Sequence, residues 1–269
     1  METLIIGAGA MGGLFATLLA PLIPVSLFTT NAEHAETINR TGLTLTGMDD
    51  QVRRTSARAL TDPGQYGRRA DLILICTKAR STGQAAEIAS RLLARDGLVL
   101  TLQNGLGNLE IIQAAVGVSR AAAGITAQAA TLLGPGKVRH AGSGPTVLGT
   151  GPGQDKKIAA VAALFNQAGI ATTITEDVAA LLWSKLIVNV ATICAAGDFP
   201  RIPPKRPGLL ASRQKAVITT GSVTDLLIDH NLKYSLVIYL DLGFCLDLVI
   251  MFNFSFSCFH YQQTLMILA

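Results

Sequence analysis

Residues 4–12 read Leu-Ile-Ile-Gly-Ala-Gly-Ala-Met-Gly, and this stretch decides the fold of the first part of the chain. A short apolar strand is followed at once by the pattern Gly-x-Gly-x-x-Gly and then by an apolar helical segment. In a dinucleotide-binding loop the first glycine permits a tight turn, the second lets the pyrophosphate approach the backbone, and the third lets the helix pack closely. The helix that follows offers free N–H groups and a partial positive charge to phosphate. The candidate cofactor-binding residues of this loop are Gly7, Ala8, Gly9, Ala10, Met11 and Gly12.

Short apolar runs alternate with Ala-rich helical patterns from this loop to about residue 193. The alternation predicts an α/β fold, a Rossmann-type doubly wound parallel sheet covered by helices on both faces. Residues 137–149 are predicted as a hairpin that turns at 142–144. The other predicted strands are 4–6, 25–28, 71–76, 98–102 and 171–175, and the predicted helices are 11–19, 32–40, 82–95, one from about 109, 156–167, and a long one from about 177 past 189.

The end of the second predicted strand bears on the choice of dinucleotide. An NAD site usually places Asp or Glu there, where the carboxylate accepts a hydrogen bond from the ribose 2′-hydroxyl. Here the strand is followed by Thr29, Thr30 and Asn31, which are all neutral. With no carboxylate to repel a 2′-phosphate, the sequence favours NADP, with Thr30 and Asn31 as candidate cofactor-binding residues. No arginine stands in this segment to bind the phosphate.

Two further loops follow strands of the predicted sheet, at the edge where parallel sheets bind their ligands. Lys78 comes directly after the strand that ends at Cys76, and Asn104 comes shortly after the strand that ends at Leu102. Lys78 could equally be a solvated loop lysine, and Asn104 with the glycine after it could be a turn pair.

A lysine and an asparagine stand one turn apart on the long predicted helix. Lys185 and Asn189 are four residues apart and therefore share one helical face. The residues around them are apolar, so two polar side chains there are costly unless they face water or a polar cleft. In a cleft, a lysine can donate a proton to a developing alkoxide and stabilise its charge. The alternative is a surface lysine whose stem covers apolar neighbours.

Composition excludes several classes of protein. The 269 residues are 49% hydrophobic and 15% charged, which excludes a disordered chain. The net charge of +4 forms no basic stripe, so we expect no nucleic-acid partner. Four cysteines, with neither metal-ligand spacing nor the density of a secreted scaffold, indicate no metal site and a reducing, cytoplasmic compartment. We also expect no cleavable signal, because no charged segment precedes the first strand.

The chain changes character from about residue 194. Nine of its 14 aromatic residues lie in 194–269, and no glutamate follows Glu176. Residues 235–259 are hydrophobic enough to span a bilayer, but Asp241 and Asp247 would each cost about 2.5 to 3.5 kcal/mol at the membrane centre. We therefore expect a buried helix or a badly packed tail rather than a membrane span.

Five segments together resemble the ketopantoate reductase (2-dehydropantoate 2-reductase) family. They are the glycine loop, Thr77-Lys78, Gln103-Asn104-Gly105, residues 134–144, and Trp183 to Asn189, in the same order and spacing across residues 1 to about 192. The resemblance implies NADPH-dependent reduction of 2-dehydropantoate, a small 2-oxo acid, to pantoate on the route to pantothenate and coenzyme A. It also implies an NADP-binding Rossmann domain (1–175) and a helical substrate domain (176–269), with the site in the cleft between them.

The resemblance also implies roles for single residues. Lys185 would be the general acid that protonates the alkoxide, and Asn189 would bind the substrate. Lys78 and Asn104 would lie at the nicotinamide end of the cofactor, where Asn104 also reaches the substrate. His140 fits the family pattern and is expected to be structural, and the family commonly forms homodimers.

The tail departs from the family pattern. Ile193 stands where the family usually has a second asparagine, and the tail lacks the glutamate that binds substrate in the family. The C-terminal domain is therefore atypical or incomplete, as a frameshift would also make it. Three interpretations stay open: an active ketopantoate reductase, a catalytically impaired dinucleotide-binding protein, and a related reductase of another small 2-oxo acid.

Overall fold

The computed structural model describes residues 1–195, 232–241, 247–257 and 260–268. The chain divides into two compact units, Met1–Leu186 and Ile187–Ala269. The strands up to the long last helix are β1 (Thr3–Ile6), β2 (Val25–Phe28), β3 (Leu43–Thr46), β4 (Val52–Thr55), β5 (Arg58–Leu60), β6 (Ala70–Ile75), β7 (Leu93–Thr101), β8 (Ala121–Thr126), β9 (Ala129–Gly134), β10 (Lys137–Gly142), β11 (Thr146–Gly149) and β12 (Thr172–Thr175). The helices are α1 (Ala10–Leu19), α2 (Ala32–Thr41), α3 (Thr82–Leu92), α4 (Asn108–Val116), α5 (Asp155–Gln167) and α6 (Val178–Ala195).

The main sheet of the first unit has eight strands in the order β12-β11-β8-β7-β6-β1-β2-β5. Every neighbouring pair from β8 to β5 is parallel, and so is the pair of β11 and β12. Only β8 and β11 pair antiparallel in this sheet. The chain order reverses at β1, with β2 on one side and β6 on the other, so the prediction of a doubly wound, Rossmann-type parallel sheet is confirmed.

Helices cover both faces of this sheet, and β1 shows how. Successive side chains of a strand point to opposite faces. Ile5 belongs to one buried cluster with Phe15 and Phe165 of α1 and α5, whose rings stack with centroids 5.6 Å apart. Leu4 and Ile6 belong to a second cluster, which includes the buried alanines of α3. All four residues of β1 are buried, as expected of a central strand covered on both faces.

A smaller sheet, in the order β4-β3-β10-β9, packs on α1 through Leu14, Leu45 and Val138. This sheet corrects the hairpin predicted for residues 137–149, because β10 and β11 belong to different sheets. β10 pairs with β3 on one edge and with β9 on the other, so neither edge is left for β11. The true hairpin joins β9 to β10 and turns at Pro135 and Gly136, where Gly136 has a φ of +69°.

The helix predicted for 82–95 is also too long. α3 ends at Leu92, and Leu93 is already extended with a ψ of 136°. Leu93 pairs with Ala70 at the start of β6 and is 5% exposed. It is therefore buried as the first residue of β7, and the helix does not continue past Leu92.

The described residues of the tail are strands. They are β13 (Leu232–Asp241), β14 (Asp247–Ser257) and β15 (His260–Leu268), which pair antiparallel in that order. The buried helix that was one of the two expectations for 235–259 is not what these residues form. Residues 252–257 read Phe-Asn-Phe-Ser-Phe-Ser, and such strict alternation of apolar and polar residues is a strand pattern. Among the described residues, no helix is long and apolar enough to cross a membrane.

Candidate active site

Most of the predicted site residues follow strands that end at one edge of the main sheet. β2, β1, β6, β7 and β8 are neighbours and mutually parallel, so their carboxyl ends lie at the same edge. In that spatial order, Asn31 follows β2, the glycine loop follows β1, Lys78 follows β6, Asn104 follows β7, and Thr126 is the last residue of β8. This edge, at the point where strand order reverses, is where open α/β sheets bind dinucleotides.

The glycine loop has no room for side chains at two of its three glycines. Gly7 has a φ of +104°, and a Cβ there would lie 2.9 Å from the carbonyl carbon of Cys76. A Cβ on Gly12 would collide with the carbonyl oxygen of Gly7. The loop therefore packs directly on the strand end that leads to Lys78, and α1 begins closely behind it.

Gly9 is different, because a Cβ there would have no neighbour within 4 Å. Gly9 is the N-cap of α1, and no side chain caps the helix N-terminus. Beside it lies a pocket of about 310 Å³ that Ala8, Gly9, Thr29 and Asn31 line together with the β9–β10 turn. Open space over a glycine at a free helix N-terminus fits a pyrophosphate, and the pocket fits the adenosine half of a dinucleotide.

The end of β2 contributes neutral polar groups to this pocket. The Asn31 side chain caps α2 by accepting a hydrogen bond from the His34 backbone N–H at 2.9 Å. Thr29 lines the pocket, whereas Thr30 is exposed and is not among the lining residues. None of the described residues that line this pocket is acidic.

The loops that carry Lys78 and Asn104 are tied together by Gln103. Its Nε2 donates to the carbonyl oxygen of Thr77 at 2.7 Å and to the hydroxyl of Thr82 at 3.1 Å. Its Oε1 accepts from the hydroxyl of Thr101 at 2.8 Å. The two loops are thus held in one arrangement by a single half-buried amide, while Lys78 and Asn104 themselves are exposed.

The same network continues into the first turn of α4. The Thr82 hydroxyl donates to the Asn108 side-chain oxygen at 2.8 Å, and both residues are buried. Asn108 Nδ2 in turn donates to the Asn104 carbonyl oxygen at 3.2 Å. The backbone of Asn104 is therefore held by the Asn108 side chain, and the Asn104 side chain remains available to a ligand.

Replacing Gln103 with leucine is expected to lower the free energy of unfolding by about 1 to 3 kcal/mol, because buried partners lose their hydrogen bonds. The Thr82 and Thr101 hydroxyls are both buried. Urea denaturation of the full chain measures the change. Gln84→Leu is the matched control, since Gln84 is exposed on α3 and should shift stability by less than about 0.5 kcal/mol. Equal effects of the two substitutions would contradict the anchoring role.

Lys185 reaches the same edge of the sheet from α6. Its Nζ donates to the carbonyl oxygen of Thr126, the last residue of β8, at 3.3 Å, and the side chain is half-buried. An ammonium has three hydrogens to donate, so this bond leaves two for a ligand. Asn189 is half-buried on α6 one helical turn further on, within the second compact unit.

A second polar cluster supports the strand end that holds Lys185. The Thr126 hydroxyl bonds to that of Thr146 at 2.8 Å, and both residues are buried. Two residues on, Gln128 Nε2 donates to the carbonyl oxygen of Gly144 at 2.7 Å, and Gln128 Oε1 lies 2.8 Å from His140 Nε2. This contact agrees with the structural role expected of His140.

Cys76 contributes no nucleophile to the edge. Burial raises the pKa of its thiol to about 12, so the thiol stays protonated at neutral pH. Within the described ranges, no group of three or more His, Cys, Asp or Glu side chains could hold a metal ion.

Sequence reasoning missed several residues that build this site. The role of Gln103 as a tie between two loops, the Thr126 carbonyl that receives Lys185, and the buried imidazole of His34 were not predicted. A polar residue next to a strand end is the only local signal for Gln103, and a backbone carbonyl leaves no signal in the sequence.

The fold, and the order of groups along the carboxyl edge of the main sheet, are those of a Rossmann-type dinucleotide-binding protein. A model of the family described as ketopantoate reductase PanE/ApbA matches residues 3–153. The chain belongs to this ketopantoate reductase family, as its five motifs indicate.

Two proteins similar to this chain are named as members of the same family. A 2-dehydropantoate 2-reductase of Halobacterium salinarum is 36% identical over 193 residues, which cover 71% of this chain and 63% of that protein. The crystal structure of a PanE/ApbA family ketopantoate reductase from Ralstonia eutropha JMP134 matches with a TM-score of 0.64 and 34% identity, over 71% of this chain and 62% of the other.

A third similar protein has a different substrate. The ternary structure of D-mandelate dehydrogenase with NADH and anilino(oxo)acetate matches with a TM-score of 0.67 and 28% identity, over 72% of this chain and 65% of that one. In all three matches this chain spans less than two thirds of the relative's length.

Proposed function

We propose that this chain is an NADP-dependent oxidoreductase that reduces 2-dehydropantoate to pantoate, a step toward pantothenate and coenzyme A. The observation that carries the proposal is the order of groups along the sheet edge. Along this edge, in spatial order, lie a pocket for adenosine at the end of β2, a glycine loop for pyrophosphate, the two anchored loops with Lys78 and Asn104, and Lys185 at the end of β8. Family membership supports the same activity.

Each loop has a task in this proposal. When bound, NADPH supplies a hydride to the keto carbon of the substrate. Gly7 to Gly12 hold the pyrophosphate, while Lys78 and Asn104 bind at the nicotinamide end. Gln103 keeps those two loops at a fixed separation, which positions the reacting carbon near the substrate.

Lys185 acts as the general acid. As hydride reaches the keto carbon, the carbonyl oxygen becomes an alkoxide, and an ammonium beside it donates a proton and stabilises the developing charge. The bond to the Thr126 carbonyl orients the ammonium without neutralising it. We propose Asn189 and Asn104 as the amides that bind the substrate.

The choice of NADPH over NADH rests on the neutral end of β2, and Asn31→Asp tests it. Aspartate caps a helix as well as asparagine does, so the fold should be unaffected. A new carboxylate in the pocket repels a 2′-phosphate and accepts from a 2′-hydroxyl. We expect NADPH affinity to fall about tenfold or more, at 1.4 kcal/mol of binding free energy per factor of ten, while NADH affinity is retained.

Equilibrium titrations of both nucleotides measure this change. Asp177→Asn is the control, since Asp177 caps α6 in the same way, by accepting from the Ala180 N–H at 2.9 Å, and follows β12 at the end of the strand order away from β2. An unchanged ratio of NADPH to NADH affinity in Asn31→Asp would contradict a 2′-phosphate site at the end of β2.

One alternative substrate class has support of its own. The similarity to D-mandelate dehydrogenase favours a reductase of another small 2-oxo acid, using NADH. A panel of 2-dehydropantoate, phenylglyoxylate and shorter 2-oxo acids, each with NADPH and with NADH, separates the two. Preference for 2-dehydropantoate with NADPH supports the main proposal, and preference for an aromatic acid with NADH favours the alternative.

The strands of the tail favour a third possibility, a dinucleotide-binding protein with impaired turnover, because the family's helical substrate domain is not what residues 232–268 form where described.

A cytoplasmic location belongs to the main proposal and rests on cysteine usage. The homodimer and the domain boundary at 175/176 stay predictions.

A further inference from the structure

His34 is a buried histidine that the proposed chemistry does not use. It lies on α2 and is 6% exposed. Its Nε2 is 2.7 Å from the carbonyl oxygen of Ala8, and its Nδ1 is 3.2 Å from the backbone nitrogen of Gly136. Because the Gly136 N–H can only donate, Nδ1 must be the acceptor, so Nε2 carries the hydrogen and donates to Ala8.

These two bonds join segments that are 128 residues apart in the chain, since Ala8 belongs to the glycine loop and Gly136 to the β9–β10 turn. Both segments line the pocket of about 310 Å³, the first through Ala8 and Gly9 and the second through residues 132–135. His34 lines the same pocket and therefore links two of its walls.

His34 contacts the glycine loop between two points that are fixed in other ways. The Gly7 N–H donates to the Phe28 carbonyl oxygen at 2.9 Å, and α1 begins at Ala10, so the His34 bond acts on the Ala8–Gly9 segment between them. The end of β9 next to the turn carries Leu132 and Leu133, which are 44% and 55% exposed and face solvent unless a ligand covers them. Asn31 fixes the start of α2 through the His34 backbone, so the imidazole extends from a rigid point.

We propose that His34 is a positioning residue for the cofactor, which holds the glycine loop and the β9–β10 turn at the separation that the adenosine half of a dinucleotide requires. This role rests on the proposed dinucleotide-dependent function. A pocket whose walls are already linked loses less conformational freedom on binding, and that preorganisation appears as affinity.

Three variants test the role. His34→Leu removes both hydrogen bonds. His34→Gln keeps one acceptor and one donor on neighbouring atoms and can restore the link. Asn39→Leu is the matched control, since Asn39 on the same helix also makes two backbone bonds, to Ala59 at 2.8 and 2.9 Å, away from the pocket.

His34→Leu is expected to weaken NADPH binding about tenfold, the scale of ordering a few loosened groups on binding. Any turnover should show a raised KM for NADPH with unchanged kcat. His34→Gln should recover most of the affinity, and Asn39→Leu should lower the melting temperature without changing NADPH affinity. Equal loss of affinity in His34→Leu and Asn39→Leu, or none in His34→Leu, would overturn the proposal.

Hydrogen–deuterium exchange without cofactor tests the link independently. Residues 6–13 and 132–137 should exchange faster together in His34→Leu and not in Asn39→Leu. Unchanged exchange at both segments overturns the link itself. A wild-type chain that binds neither NADPH nor NADH overturns the proposed function, and with it the cofactor role of His34, even where the exchange result supports the link.

Discussion

Replacing Lys185 with alanine is expected to lower turnover of 2-dehydropantoate by about 100- to 10,000-fold, the usual contribution of general acid catalysis. The dissociation constant of NADPH should not change, because Lys185 contacts the end of β8 and not the glycine loop. Lys185→Met is the closer test, since it keeps most of the aliphatic stem and removes only the ammonium group.

Steady-state kinetics with an equilibrium NADPH titration measure both quantities. Lys156→Ala is the control, because Lys156 is exposed on α5 and should leave turnover unchanged. A Lys185→Ala variant as active as the wild type would contradict the general-acid role. A wild type as inert as the variant, with NADPH still bound, would favour the impaired dinucleotide-binding protein.

Replacing Gly9 with valine is expected to weaken NADPH binding by about 100-fold, or about 2.8 kcal/mol. The backbone at Gly9 is extended, with a φ of −71°, and the space around it is empty, so the folded protein accommodates the side chain. That space is where the pyrophosphate must approach the backbone. The free energy of unfolding should fall by only about 1 kcal/mol, since valine is a poor N-cap.

Gly83→Ala is the matched control for this prediction. Gly83 lies in α3, and a Cβ there would also meet nothing within 4 Å. We expect the substitution to raise the free energy of unfolding by about 0.5 to 1 kcal/mol, because alanine favours a helix, without changing NADPH affinity. Unaltered NADPH binding by Gly9→Val would contradict the pyrophosphate site.

The sequence predicts the central strands and their helices well because their apolar residues follow regular periods. β1 and α1 begin and end within one residue of the prediction. The smaller sheet is different, since three of the four residues of β4 are exposed and β9 is mostly exposed. β4 and β9 therefore lack the buried alternation that would mark them as strands, and neither was predicted. β3, β5 and β8 were not predicted either, although β3 reads Leu-Thr-Leu-Thr and is buried in alternation.

The candidate site could likewise be predicted only in part. Lys78 and Asn104 could be placed at the sheet edge because they follow buried strands directly. The bonds that position them connect Gln103 to Thr77 and Thr82, which are 26 and 21 residues away, and no local pattern indicates such pairs. In the tail, the high hydropathy of 235–259 led to the expectation of a buried helix or a badly packed tail, and the alternation of residues 252–257 was not recognised.

The proposed reductase is tested most directly by measuring the oxidation of NADPH by the purified chain in the presence of 2-dehydropantoate, followed by absorbance, with NADH run in parallel. We expect 2-dehydropantoate-dependent oxidation of NADPH, slower with NADH, because the pocket at the end of β2 is neutral and Lys185 stands at the end of β8. No turnover with either nucleotide, in a sample that still binds NADPH, would contradict the proposed reductase and leave a dinucleotide-binding protein.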